Sequence, residues 1–149
     1  MREQFADALK VAMKSKDTRR TSTLRLILAA IKDRDIASRS EDRDGVTDSE
    51  ILDILARMIK QRRESVTTYE EAGRLELAQQ EQEEIDIIST FLPKQFDEAE
   101  IEAAVAGVLK DIDAAGLKDM GRAMGALKER YAGQMDFSRA SAIVKEKLS

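Results

Sequence analysis

The stretch "TDSEILDILARMI", Thr47 to Ile59, carries the pattern that decides the fold. It opens with a capping box, in which the Thr47 hydroxyl can accept from the Glu50 backbone and the Glu50 carboxylate can reach back. Apolar residues then recur three and four positions apart, which is the period of one helix face. They are Ile51, Leu52, Leu55, Met58, Ile59 and, further on, Val66. The stretch therefore predicts an amphipathic helix whose apolar face lies against a core.

Apolar residues follow the same helical period along the rest of the chain, whereas the alternation typical of strands is nowhere sustained. A single proline and seven glycines leave long segments without a helix breaker. The further residues predicted to face inward are Phe5, Leu9, Ala12, Met13, Leu24, Ile27, Leu28, Ile31, Leu75, Ala78, Ile85, Ile88, Phe91, Leu92, Ile101, Val105, Val108 and Ile112. The sequence therefore predicts an all-α protein.

Polar runs, glycines and the proline mark where the helices end. A second helix is predicted from about Thr18 to Ala37, before the polar run "SRSEDRDG", Ser38 to Gly45, which is interpreted as a loop. Gly73 is predicted to stop the third helix, and Pro93 the fourth, because the residue before a proline disfavours helical angles. Short connections favour antiparallel neighbours, so residues 1–94 are predicted to form a four-helix, bundle-like unit.

Residues 95–149 are predicted to form a small three-helix tail domain. Asp97 followed by Glu100 repeats the capping-box pattern, and the helix that begins there is expected to close at Gly116. Asp119 and Asp136 are placed to cap the last two helices. A domain of about 55 residues is near the lower limit for independent stability.

The chain contains no cysteine and no histidine. Their absence removes disulfides, thiolate chemistry, the commonest general base and the commonest transition-metal ligand. The carboxylates of "EQEEID", Glu81 to Asp86, are therefore interpreted as a solvated helix face rather than as a metal or acid–base site. The basic run "KQRRE", Lys60 to Glu64, is expected to pair with Glu76 and Glu81, and a phosphate-binding patch is the alternative. We predict no catalytic residue, no metal site and no cofactor.

The composition of the chain also indicates where in the cell the protein is expected. At 149 residues, with 42% apolar and 36% charged residues, the chain is expected to fold around a real core. No segment has the roughly 20 consecutive apolar residues of a membrane span, and the N-terminal "MREQFADALK" lacks the apolar core of a signal peptide. We therefore expect no membrane association and a cytoplasmic location.

Basic residues are unevenly distributed, although the net charge of −4 argues against general binding to nucleic acid, DNA included. Between Lys10 and Lys32 seven basic residues accompany a single acid, Asp17. This turn could meet a phosphate backbone or could simply be solvated. From Leu117 to Ser149, seven basic residues outnumber four acids. The tail is therefore the predicted face for an anionic partner.

Two long passages resemble the YqeY-like proteins: "EEAGRLELAQQEQEEIDIISTFLPKQ" and "DMGRAMGALKERYAGQMDFSRASAIVKEKL". The resemblance extends over essentially the whole chain and implies a fold shared with the C-terminal part of the B subunit of aspartyl/glutamyl-tRNA amidotransferase. In that enzyme the tail is implied to hold tRNA while other parts do the chemistry. The family label is a carbon–nitrogen ligase with glutamine as amido donor, but the enzyme's catalytic domains have no counterpart here. The pair Phe137 and Ser138 departs from the glycine of many relatives.

The resemblance and the charge of the tail together predict a tRNA-binding surface that recognises shape rather than base sequence. Its candidate residues are Lys118, Gly121, Arg122, Lys128, Arg130, Arg139 and Lys145. The alternative is a protein adaptor that docks an aminoacyl-tRNA synthetase or an amidotransferase without contacting RNA. A free-standing amidotransferase is the weakest hypothesis, since no residues in the chain are suited to that reaction.

Two glycines in the sixth predicted helix raise separate questions. Gly121 falls in the first turn, where capping by Asp119 accounts for it or where open backbone N–H groups could bind a phosphate oxygen. Gly125 lies in the helix interior, where glycine costs about 1 kcal/mol relative to alanine. Something is expected to approach the Gly125 backbone closely, either a neighbouring helix of the tail or tRNA.

Overall fold

The computed structural model describes residues 1–40 and 45–149, and these ranges contain seven α-helices and no strand. The helices are α1 (Arg2–Lys14), α2 (Thr18–Ser40), α3 (Asp48–Glu71), α4 (Leu75–Ser89), α5 (Glu98–Asp111), α6 (Met120–Arg130) and α7 (Phe137–Leu148). A short 3₁₀ turn, Leu117–Asp119, directly precedes α6. The predicted all-α class is confirmed. None of the described helices combines the length and the apolar character needed to span a membrane.

The chain divides into two compact units, Met1–Leu92 with α1 to α4 and Pro93–Ser149 with α5 to α7. In the first unit α3 packs against α4, α2 packs against α4, and α1 packs against α2. In the second unit each of the three helices contacts the other two. The core of the first unit is centred on Phe5, Leu24, Ile27, Ile51, Leu55 and Ile88, and that of the second on Val105, Val108, Leu127 and Val144.

Several positions depart from the predicted inward stripes, and Met13, Leu75 and Ile54 are examples. Met13 is 51% exposed and Leu75 is 67% exposed, although both were expected to face inward. Each lies in a terminal turn of its helix, where the neighbouring helix no longer covers the stripe. Ile54 is buried in the α3 face and was not predicted. The helical period therefore identified the apolar faces but not how far along each helix they are covered.

Both predicted capping boxes are present. Glu50 N–H donates to Thr47 Oγ1 at 3.2 Å, and Thr47 N–H donates back to Glu50 Oε1 at 3.4 Å. Glu100 N–H donates to Asp97 Oδ1 at 2.8 Å, and Asp97 N–H donates to Glu100 Oε1 at 3.2 Å. These reciprocal bonds satisfy backbone N–H groups that the first turn of a helix leaves without an intrahelical partner.

The predicted cap of α7 is also present. Ser138 N–H donates to Asp136 Oδ1 at 2.9 Å, so α7 begins directly after Asp136. Phe137 and Ser138 therefore form the first turn of a capped helix.

Helix ends agree less well with the sequence prediction. Gly73 ends α3 as expected, with a φ of +73° that glycine adopts without a steric penalty. α2 continues to Ser40, so the predicted loop from Ser38 is wrong for its first three residues, while Glu41–Asp44 lie outside the described residues. α4 ends at Ser89, several residues before Pro93.

α5 ends earlier than predicted. Its last residue is Asp111 rather than a residue next to Gly116. The chain leaves the helix because Asp113 adopts a left-handed backbone angle, with a φ of +53°. Aspartate is among the few residues with a side chain that enter this region readily, so the turn needs no glycine.

α3 and α4 form an antiparallel hairpin around the turn at Gly73. Arg62 Nε donates to Glu84 Oε2 at 2.8 Å, and both side chains are largely buried. These two residues lie at equal sequence distances from Gly73, as expected for adjacent positions on antiparallel helices joined by a short turn. The predicted partners Glu76 and Glu81 are wrong for Arg62, because both lie closer to the turn than the position that faces it.

The acidic run of α4 takes part in packing between helices. Arg19 of α2 lies 3.3 Å from Glu83 and 3.8 Å from Glu84, measured between the ionic nitrogen and oxygen atoms. The interpretation of this run as a solvated face is therefore wrong for Glu84. In the described ranges no group of three or more acidic side chains is arranged to hold a metal ion.

Asp35 joins three parts of the first unit. The Arg2 guanidinium donates to both carboxylate oxygens of Asp35, and Val46 N–H donates to Asp35 Oδ1 at 3.0 Å. Gly45 lies against the same oxygen, where a Cβ atom would come within 3.2 Å. Chiefly because of the hydrogen bond from Arg2, the pKa of Asp35 is lowered from 3.8 to about 2. The carboxylate thus links α1, α2 and the segment before α3.

We expect Asp35→Asn to lower the thermal unfolding midpoint at neutral pH and to lose this effect in acid. A carboxylate with a lowered pKa stabilises the fold above its unfolded pKa near 3.8, and this contribution is lost as the pH falls through about 2. The difference in midpoint between the wild type and the variant should therefore be widest above about pH 4 and shrink toward pH 2. Circular dichroism melts at several pH values measure it.

The matched control is Asp7→Asn, which removes an exposed carboxylate of α1 that has no recorded partner among the described residues. Its midpoint should follow that of the wild type at every pH. A difference for Asp35→Asn that stays constant from neutral pH to pH 2 would contradict the assignment.

Candidate nucleic-acid interface

One side of α6, together with the turn before it, combines basic residues with two glycines. We call this surface the α6 outer face and define it by Lys118, Gly121, Arg122, Gly125 and Lys128, all of which are exposed. The helical period places the four residues within α6 on one side, and the opposite side contributes to the core of the second unit. Four of the seven sequence candidates therefore share one surface with Gly125.

Asp119 closes the loop before α6. Its Oδ2 atom accepts from Ala115 N–H at 2.8 Å and from Gly116 N–H at 3.3 Å, and the residue is buried. The bond from Ala115 is the main cause of a lowered pKa of Asp119, against the opposing effect of burial. The carboxylate makes no hydrogen bond to the backbone of the first turn of α6. The predicted side-chain cap is therefore wrong, because the 3₁₀ turn leads directly into α6 and Met120 N–H donates to Leu117 O.

This arrangement changes the interpretation of Gly121. Asp119 was expected to compete with a phosphate for the first-turn N–H groups of α6, but its Oδ2 atom is directed to the preceding loop. The N–H group of Met120 is already used by the 3₁₀ turn. A Cβ atom at Gly121 would meet no atom within 4 Å. The space in front of this turn is therefore open, although the Met120 N–H group is not free to bind a phosphate oxygen.

Arg122 has a structural contact as well as an exposed surface. Its Nη2 atom donates to Ile112 O at 3.0 Å and to Asp119 Oδ1 at 3.2 Å. The side chain is nevertheless 60% exposed. Arg122 therefore stabilises the loop between α5 and α6 while part of its guanidinium still faces solvent.

Arg130 and Arg139 connect helices of the second unit. Arg130 Nη1 donates to Asp111 Oδ2 at 2.7 Å, which joins the end of α6 to the end of α5. Arg139 of α7 donates to both carboxylate oxygens of Glu98 at the start of α5, and this contact lowers the pKa of Glu98. Binding of a phosphate by either arginine would have to compete with a carboxylate that is already in place.

The three candidate lysines differ from the arginines. Lys118, Lys128 and Lys145 are exposed, and none has an ion pair with a carboxylate in the described ranges. Lys118 and Lys128 belong to the α6 outer face, whereas Lys145 lies on α7. The cations most accessible to an anionic partner are therefore the lysines.

Gly125 does not make the contact expected of it. A Cβ atom at this position would meet nothing within 4 Å, so no neighbouring helix of the second unit approaches its backbone. The prediction of a packing contact is wrong, because Gly125 lies on the outer face and not on the side of α6 that meets α5 and α7. Fold stability within the chain therefore gives no reason for glycine here.

Pairs of oppositely charged residues within the tail were missed by the sequence analysis. The pair Asp119 and Arg122 has a local signal, since the two residues are three positions apart on a helical segment. The pair Glu98 and Arg139 has no such signal, because 41 residues separate its members. Only the packing of α7 against α5 brings that pair together.

The comparisons with known proteins identify the family of the chain. A family model described as "Yqey-like protein" matches residues 2–148, so the chain belongs to the YqeY-like family. The curated relatives include "Altered inheritance of mitochondria protein 41, mitochondrial" from Lachancea thermotolerans, 33% identical over 106 residues, and its namesake from Kluyveromyces lactis, 34% identical over 107 residues. Each alignment covers 70% of this chain, and 55% and 56% of the respective relative. The chain thus spans about half the length of these relatives.

The names of these relatives bear on location. Both proteins, and a third from Eremothecium gossypii that is 37% identical over 84 residues, are named as mitochondrial. The expectation of a plain cytoplasmic location is contradicted by these names, which point to mitochondria. The expectation rested on the absence of an apolar leader, and mitochondrial targeting segments are amphipathic and do not need an apolar core.

We expect Gly125→Ala to raise the free energy of unfolding by about 0.5–1 kcal/mol, because alanine favours the helix and its methyl group meets open space. Chemical denaturation of the full chain measures the change. Gly133→Ala is the matched control, since Gly133 has a φ of +74° and alanine there should cost roughly 1–2 kcal/mol. A loss of stability in Gly125→Ala would show that another part of the chain packs closely against the Gly125 backbone.

Proposed function

We propose that this protein binds tRNA through the second unit, and that the α6 outer face is the contact surface. The observation that carries the proposal is the exposure of Lys118 and Lys128 on one surface, neither of them in a close ion pair in the described ranges. The charge of Lys118 acts on the neighbouring Asp119 only as a minor cause of its lowered pKa. Lysines of this kind bind phosphate oxygens as point charges and need little reorganisation to do so. Arg122 adds an exposed guanidinium between them.

The two glycines support contact with a backbone rather than with base edges. Gly121 and Gly125 leave a shallow strip without side chains between the cations of the α6 outer face. A sugar–phosphate backbone can approach a helix closely along such a strip. Recognition of this kind depends on the shape and phosphate spacing of a folded RNA, and tRNA is the folded RNA that the family resemblance implies.

The proposed role is binding and not catalysis. The chain has no histidine or cysteine, and several of its acidic side chains have structural roles: Glu50 in a helix cap, Asp119 in a loop closure and Glu84 in an ion pair between helices. The family label of a glutamine-dependent carbon–nitrogen ligase would then describe a larger assembly to which this protein contributes an RNA-binding surface. The names of the curated relatives mention mitochondria and neither RNA nor amidation.

A protein adaptor is the second candidate function, and one observation favours it. Arg122, Arg130 and Arg139 are already paired with carboxylates, which leaves fewer accessible cations than the sequence suggested. The glycine strip of the α6 outer face would also allow close approach of a helix from a partner protein. In that case the partner would be an aminoacyl-tRNA synthetase or an amidotransferase.

Binding of whole tRNA to the full chain, measured by fluorescence anisotropy as a function of salt, tests the first proposal. Affinity should fall as salt rises, because each neutralised phosphate releases counterions. The double variant Lys118→Gln with Lys128→Gln should bind more weakly. It should also reduce the slope of log K against log salt by about 0.7–0.9 for each phosphate that the variant no longer neutralises.

The control variant combines Lys110→Gln with Lys147→Gln, which makes the same change in charge elsewhere in the second unit. Its slope should match that of the wild type. Absence of binding at low salt, or equal losses in the two double variants, would reject the α6 outer face as a tRNA site. Stable capture of a synthetase or amidotransferase from nuclease-treated extract would then support the adaptor.

A further inference from the structure

A concave site lies in the first unit, at the turn between α1 and α2. It is a shallow depression of about 290 Å³ that is widely open to solvent. Its lining residues are Met13, Lys16, Thr18, Thr21, Ser22 and Arg25. Two basic residues and three hydroxyl residues therefore line the depression together with Met13, and no residue of the α6 outer face takes part.

The basic residues of this turn divide into two groups. Arg19 is directed to Glu83 and Glu84, and the Arg20 guanidinium lies over the Phe91 ring at 5.9 Å from its centroid. These two arginines are therefore engaged in packing of the first unit. Part of the positive charge between Lys10 and Lys32 therefore stabilises the fold and is not available to a ligand.

Lys16 and Arg25 remain on the concave site. Neither has an ion pair with a carboxylate in the part of the chain that the structure describes. Arg25 Nη2 lies 4.0 Å from Met13 Sδ, which places its guanidinium at the rim. The nearest acid in sequence, Asp17, accepts from Arg20 N–H at 3.1 Å and so already has a backbone partner.

The hydroxyl groups complete the lining. Ser22 Oγ donates to Arg19 O at 3.1 Å, so its hydrogen is used within the helix. The hydroxyls of Thr18 and Thr21 make no recorded side-chain hydrogen bond among residues 1–40 and 45–149. Two residues whose hydroxyl groups are unbonded in the described ranges and two basic residues therefore line the same depression.

The backbone at Lys16 is unusual for a residue with a side chain. Its φ is +60°, in the left-handed region that glycine and asparagine adopt at lower cost. A turn selected for stability alone would favour glycine at this position. The residue in this conformation is one of the two basic residues that line the concave site.

We infer that this site binds the phosphate group of a small phosphate monoester. A monoester carries a charge of about −1.5 to −2 at neutral pH, which matches the two cations of the site. The volume of the depression is at the small end of ligand pockets, which typically measure about 300–1,000 Å³, and is sufficient for a phosphate with a compact organic group. A phosphodiester of an RNA backbone has one charge and does not need a concave site, so the monoester fits better.

Titration of the ¹⁵N-labelled full chain with methyl phosphate at constant ionic strength tests this inference. Amide signals of Lys16, Thr18, Thr21 and Ser22 should shift in a saturable way at millimolar concentrations. Dimethyl phosphate, which represents the diester of an RNA backbone, should bind at least about tenfold more weakly. Arg25→Gln should raise the dissociation constant for methyl phosphate by about tenfold or more, since it removes a charged hydrogen-bond donor.

Lys16→Gly separates binding from folding. Glycine adopts the left-handed backbone angle of this position at lower cost than lysine, so the thermal midpoint of the variant should not fall. Its binding of methyl phosphate should nevertheless be lost. Lys10→Gln and Lys32→Gln, which remove exposed cations outside the concave site, should leave the dissociation constant within about twofold of the wild type.

Several outcomes would overturn the inference. They are the absence of saturable shifts, equal affinity for methyl and dimethyl phosphate, and equal losses in Lys10→Gln and Arg25→Gln. Tighter binding of whole tRNA than of methyl phosphate at the same amides would assign the site to RNA instead. The tRNA proposal for the second unit is tested with other variants and another probe, so either proposal can fail alone.

Discussion

The antiparallel packing of α3 on α4 is the interaction on which the first unit depends. It buries the apolar face that begins at Ile51 against the face that contains Ile85 and Ile88, and it places Arg62 beside Glu84. Burial of such faces supplies the main favourable free energy of folding in a chain where 36% of residues are charged. α2 packs on α4 and α1 packs on α2, so the remaining helices of this unit extend the same hairpin.

Carboxylates organise the connections between helices in both units. Asp35 accepts from Arg2 and from the backbone of Val46, and Asp119 accepts from two backbone N–H groups of the loop before α6. Such bonds fix the conformation of the turns. The chain has no cysteine for a disulfide and only one proline, so these hydrogen bonds take the place of covalent restraints. Carboxylates also form ion pairs with several arginines. The accessible cationic surface is therefore smaller than the excess of basic residues in the sequence suggests.

Most arginines of the two proposed binding regions pair with carboxylates of the fold, whereas the lysines remain accessible to a ligand. Arginine offers a planar set of donors suited to a carboxylate, and Arg122, Arg139 and Arg19 are used in that way within the fold. Lysines remain at the surface, and Lys118, Lys128 and Lys16 are the residues that carry the two inferences. Arg25 is the exception, because no acidic side chain of the described ranges forms an ion pair with it.

The α6 outer face shows where prediction from sequence stops. Exposure of Lys128 and the two glycines follows from the helical period alone, since the apolar residues of α6 occupy the other side. The bond from Arg139 to Glu98 could not be predicted, because it joins residues 41 positions apart and depends on the packing of α7 against α5. The direction of the Asp119 carboxylate also escaped prediction, since an aspartate before a helix can accept from either the helix or the preceding loop.

The sequence by itself determined the all-α class, both capping boxes, the stop at Gly73 and most of the inward stripes, because each depends on residues within a few positions of one another. Tertiary structure decided the partners of the charged side chains, the limits of burial at Met13 and Leu75, and the open space at Gly125. It also brought Lys16 and Arg25 to one concave site across the turn between α1 and α2. These features depend on which helix faces lie together, and helical period specifies a face without specifying its neighbour.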